Sequence, residues 1–76
     1  MRKRRNHNSV SHVDAAWHRL VDAEIYRDDA TAEHHRLLAV GPLDEIRAAA
    51  AVVEAAKALV RQRQREYEAA ITAAAA

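Results

Sequence analysis

Apolar residues beyond Pro42 fall into a regular pattern. Ile46, Val53, Val60 and Tyr67 recur at intervals of seven, with Ala49, Ala56, Arg63 and Ala70 at the complementary positions. No Gly or Pro interrupts the run, so the pattern predicts a single helix from about residue 43 to about residue 74. At ~1.5 Å per residue it would reach ~45–50 Å. Val52 and Leu59 widen the apolar stripe on one flank, and Leu43 and Ile71 widen it on the other. The resulting arc is broader than one partner helix covers, so a second neighbour is expected. Arg47, Glu54, Arg61 and Arg65 fall on the opposite side and are assigned to solvent.

Upstream the pattern is weaker. Val10, Val13, Trp17, Leu20 and Val21 follow spacings of three and four, and Leu37 and Leu38 resume them later, predicting a first helix over about residues 10–40. Ser9 or Ser11 offers an N-cap, and Ser11 to Asp14 approximates a capping box. Between the two apolar groups the stripe fails. Glu24, Arg27, Asp28 and Thr31 fall on or beside it, while Ile25 and Tyr26 point away. Asp28-Asp29 can cap a fresh helix, so this region reads equally as a break near residues 28–31, a kink, or a polar layer in a continuous helix. A break would turn the hairpin into a three-helix arrangement.

Gly41-Pro42 separates the two patterns. Gly can adopt the left-handed conformation that closes a helix, and Pro lacks an N–H and disfavours helical geometry in the residue before it. Pro42 also suits the first turn of a new helix, and Asp44 and Glu45 place negative charge at the positive end of its dipole. The expected fold is all-α, an antiparallel helical hairpin with residue i near residue ~83−i. That register brings Trp17 to Tyr67, Val13 to Ala70, Leu20 to Arg63, and Asp22 to Arg61 or Arg65.

Length makes such a hairpin marginal. A chain of 76 residues has room for one domain and buries a small share of its surface. It contains no cysteine, so neither a disulfide nor a thiolate metal site can staple it. Self-association is therefore expected, with a homodimer completing a four-helix bundle. The organisation predicted is a basic, unstructured arm over residues 1–8 followed by the hairpin over 9–76, with the turn at 41–42. No stretch has the length and apolarity of a membrane span, and Met1 to Arg5 leads into polar residues rather than a signal-peptide core, which predicts a cytoplasmic protein without membrane contact. Abundant Ala and Arg with only two Lys match GC-rich codons, as in a high-GC bacterium or its phage.

Charge narrows the chemistry further. Twelve basic and eleven acidic residues nearly cancel, but four of the basic ones are Arg2, Lys3, Arg4 and Arg5, leaving the remainder slightly acidic. That arm could neutralise phosphates, and Lys57, Arg61 and Arg65 form an i, i+4 ladder able to follow a phosphate backbone or an acidic helix. Surrounding glutamates favour an ordinary solvated face. The five histidines lack metal-ligand spacing; no metal site and no cofactor is expected. With no thiol, no glycine-rich phosphate loop and no sheet to form a pocket, an enzyme is not expected either.

Two groups remain. Trp17, Leu20, Ile46, Val53, Val60, Tyr67 and Ile71 are the expected oligomer or partner interface. Glu24, Arg27 and Thr31 would form a polar specificity layer if they face it. The sequence thus points to a small interaction or oligomerisation module, such as a phage or mobile-element regulator that binds a host protein. The alternative is a nucleic-acid-binding accessory protein using Arg2 to Arg5 with Arg61 and Arg65.

Overall fold

The computed structural model describes the backbone from Arg2 and the side chains from Ser11 to Ala76. It holds two helices, α1 (Arg2–Val40) and α2 (Leu43–Ala75), packed along their length into a rod 59 Å long and 13 by 12 Å across. The backbone helix begins at Arg2, where the sequence predicts an unstructured arm and a start near residue 10. The side chains of residues 1–10, including the basic cluster Arg2, Lys3, Arg4 and Arg5 and the cap candidate Ser9, lie outside the described residues.

α1 runs unbroken through residues 24–31. Asp28-Asp29 does not cap a fresh helix. Asp28 accepts a hydrogen bond from the neighbouring Arg27 guanidinium at 3.1 Å rather than capping a new helix, and the Thr31 hydroxyl donates to the Arg27 carbonyl at 2.8 Å, one turn back. The molecule is a two-helix hairpin, and the three-helix alternative falls away.

The turn works differently from the expectation. No glycine has a positive φ, so Gly41 is not a left-handed cap. Its N–H instead donates to the Leu37 carbonyl at 2.6 Å, carrying the helical bonding pattern one residue past α1. Glycine is needed there for space: a Cβ would lie 2.8 Å from the Leu37 carbonyl oxygen and 2.8 Å from Leu37 Cδ2. The reversal then falls on Pro42, extended at φ −66° and ψ 153°, whose carbonyl accepts the Ile46 N–H at 3.0 Å and so opens α2. Asp44 and Glu45 occupy the first turn of α2, where the helix dipole favours negative charge.

The seam between the helices is built from small residues on α1 and β-branched ones on α2. Leu20, Ala23 and Val60 form one buried cluster, with Leu59 and Tyr67 packed against it, and Ala30, Val53 and Ala56 form a second. These pairings, and the Trp17–Tyr67 contact, fit residue i opposite about 83−i, as a short helix–helix connection requires. Half-buried Val13, Arg27, His34 and Leu37 extend the seam on α1, and Ile46, Ala49, Arg63, Tyr67 and Ala70 extend it on α2. Both helices therefore follow the same alternation of three and four that lets two helices stay in contact over many turns.

Candidate interaction site

Among the described residues, every strongly buried residue on α1 other than Leu20 is an alanine: Ala16, Ala23 and Ala30. The sequence reading placed Trp17 and Val21 on this stripe, but Trp17 is 46% exposed and Val21 half-buried, so both stand at its margin. Alanine carries too little apolar area to stand out beside Trp or Leu, which is why Ala16, Ala23 and Ala30 were missed. The signal that finds them is geometric: they recur at the spacing set by Val13, Leu20 and Leu37, opposite the large residues of α2.

The predicted interface residues consequently divide. Leu20, Val53 and Val60 are already buried within one hairpin, and Ile46 and Tyr67 are half-buried there. Trp17 and Ile71 retain substantial exposure, at 46% and 42%. The Trp17 ring lies 5.3 Å from that of Tyr67 at an interplanar angle of 51°, a tilted contact of the kind favoured by aromatic quadrupoles. One face of Trp17 is thereby fixed by the hairpin while much of its surface stays open.

Apart from Ile25, 54% exposed on the outer back of α1, the exposed large apolar residues lie on two edges of the rod. By their seven-residue spacing, Trp17, Glu24, Thr31 and Leu38 of α1 share an edge with Leu43, Ala50, Lys57, Gln64 and Ile71 of α2. The opposite edge carries Arg19, Tyr26 and Glu33 with Glu45, Val52, Leu59 and Glu66. On that second edge a shallow depression of about 220 Å³ is lined by Arg19, Asp22, Ala23, Tyr26, Leu59 and Arg63. It is smaller than the ~300–1,000 Å³ typical of small-molecule sites.

The proposed polar layer does not gather into a network. Glu24, Arg27 and Thr31 are each half-buried, with Arg27 on the seam and the other two on the Trp17 edge. Arg27 turns outward to Asp28 at 3.0 Å, and Thr31 satisfies its hydroxyl on its own helix. No polar side chain is buried among the described residues.

Ion pairs are local. Arg36 pairs with Glu33, Lys57 with Glu54 at 3.3 Å, and Arg63 with Glu66 at 2.9 Å, all one turn apart on the same helix. The hydrogen bond from Arg36 holds the Glu33 carboxyl below the usual carboxylate range, and those from Arg63 and then Gln62 do the same for Glu66. The expected pairing of Asp22 with Arg61 or Arg65 does not form. Equal height along the rod is not equal azimuth: Asp22 lines the depression beside Arg63, whereas Arg61 and Arg65 point to solvent. Neither arginine enters an ion pair among the described residues.

Among the described residues, no three His, Asp or Glu side chains gather as metal ligands would. His34 and His35 diverge, with ring centroids 6.3 Å apart; His34 sits on the seam and His35 is exposed. No helix is long and apolar enough to cross a membrane. No family model, curated protein or solved structure matches the chain.

Proposed function

We propose that the chain is a non-enzymatic interaction module whose hairpin is completed by pairing with a second copy into a four-helix bundle. One observation carries this reading: the hairpin buries Leu20, Val53 and Val60 but leaves most of its other large apolar side chains only partly covered. The best-sealed positions are alanines, Ala56 at 0% and Ala16 at 2% exposure, while Leu38 and Leu43 remain 56% and 62% exposed. Apolar burial is the main favourable term in folding, and two helices meeting through alanines bury little of it. A partner that covers the exposed leucines and Trp17 supplies the missing burial, and an identical chain is the simplest such partner.

Sedimentation equilibrium at micromolar concentration tests the reading. A dimer that holds its helical circular dichroism is expected. A strictly monomeric, stably folded species at that concentration overturns it.

A second reading rests on Arg61 and Arg65, exposed on the outer face of α2 and free of ion pairs among the described residues. Together with the basic sequence Arg2 to Arg5 they would give nonspecific, salt-sensitive nucleic-acid binding. Deleting residues 2–5 and replacing both arginines by alanine should then weaken binding to duplex DNA or RNA. No binding by the intact chain at low salt eliminates this reading.

A further inference from the structure

The two edges of the rod differ in charge. Among the described residues, the Tyr26 edge carries Arg19, Glu33, Glu45 and Glu66, whereas the Trp17 edge carries only Glu24 and Lys57, one on each helix. On this ground we infer that a second copy of the chain docks on the Trp17 edge, with both Gly41-Pro42 turns at the same end of the bundle. The inference rests on the self-association proposed above and names its face and symmetry.

The argument is one of charge and height. In the observed register Lys57 lies opposite about residue 26 of α1, so it stands at nearly the height of Glu24. A two-fold axis along the rod sets α1 of each copy against α2 of the other without changing heights. Glu24 of each then meets Lys57 of the other, twice, and Leu38 meets Leu43 of the second copy. Turning the second copy end for end instead sets like helices together. Glu24 on α1 would then meet α1 of the second copy and Lys57 would meet its α2, so Glu24 and Lys57 no longer face each other across the interface.

Lys57 is free to redirect. Its contact with Glu54 is 3.3 Å long and exposed on both sides, and Glu24 makes no ion pair among the described residues. Complementary charges of this kind set orientation and partner choice more than affinity, while the apolar residues at either end of the edge supply the contact. A face as long and deep as this rod presents roughly 700 Å² in projection, of the same order as the ~800 Å² per partner in a stable interface.

Because the chain has no cysteine, single-cysteine variants give a direct test. Glu24→Cys and Lys57→Cys, mixed and gently oxidised, should form a disulfide-linked heterodimer as the main product, while Lys57→Cys alone should link poorly. A mixture that gives no excess of heterodimer over random linking overturns the same-end arrangement. For the choice of edge, Trp17→Asp should dissociate the dimer while Tyr26→Asp leaves it intact, with helicity of each variant checked by circular dichroism. The reverse outcome moves the interface to the Tyr26 edge and leaves self-association standing. A wild-type chain that is monomeric at every concentration removes the underlying reading itself. Finally, Glu24→Lys should weaken association about tenfold, and adding Lys57→Glu should restore it; failure of the double variant to recover excludes the pairing.

Discussion

The two helices contribute to one seam in opposite ways. α2 supplies Val53 and Val60, whose branched side chains project across the contact, and α1 receives them on Ala23 and Ala30. Small residues facing large ones let two backbones approach closely while keeping the interdigitation that dense packing requires. Leu20 is the exception on α1, the only large side chain it buries among the described residues. The contrast teaches that positions along a single contact are sensitive to opposite changes: loss of volume at Val53, Val60 and Leu20, gain of volume at the alanines of α1 and at Ala56 on α2.

Substitutions can break that asymmetry, most strongly where a large side chain is removed. Leu20→Ala should destabilise the fold by about 2–4 kcal/mol in urea unfolding at fixed protein concentration, because it deletes the buried leucine of the α1 seam. Ala23→Leu should come next, at about 1–3 kcal/mol, by forcing the helices apart at Val60. The same change at exposed Ala55 should be within about 0.5 kcal/mol of neutral, which separates crowding from helix propensity. If Ala23→Leu is instead stabilising, the helices do not approach as closely as this seam requires.

The turn should be less sensitive. Gly41→Ala removes backbone freedom from the unfolded chain, which favours the variant, but places a Cβ 2.8 Å from a backbone carbonyl. The clash should win, with a net loss of about 1 kcal/mol read from the urea midpoint. The smallest effect concerns pH. Hydrogen bonds from Arg36 and Arg63 lower the pKa values of Glu33 and Glu66 in the folded chain. Their contribution is present above the ordinary carboxylate pKa and is lost as pH falls through the lowered values. Both groups are exposed, so Glu66→Gln should flatten the acid limb of the stability profile only slightly, and a large change would contradict the local character of the pair.

Much of this architecture can be read from the amino-acid order, and the reasons vary by element. The seam of α2 is legible because its large residues recur every seven positions, and the register follows once the reversal at Gly41-Pro42 is accepted. The Trp17–Tyr67 contact falls out of that register directly. The α1 seam is hidden because alanine looks neutral in a hydropathy pattern, and its role depends on which residue faces it across the contact. Continuity through Thr31 was undecidable in advance, since Asp28 serves equally well as a cap or as a partner for Arg27. At Gly41 the pattern marks the turn correctly, but proximity to Leu37, not a left-handed backbone, makes a side chain unwelcome there. The candidate interface was legible as a list of residues but not as a partition, because only packing shows which are already covered within one chain.

The register has a kinetic consequence. Partners close to Gly41-Pro42 are separated by a few residues, whereas Trp17 and Tyr67 close a loop of half a hundred, so the entropy of bringing partners together rises steadily with distance from the turn. A hairpin ordered in this way zips from its turn outward and frays from its open end, since local contacts form ahead of distant ones. The chain's sole tryptophan stands near that open end, where its emission reports contacts that form late and are lost early.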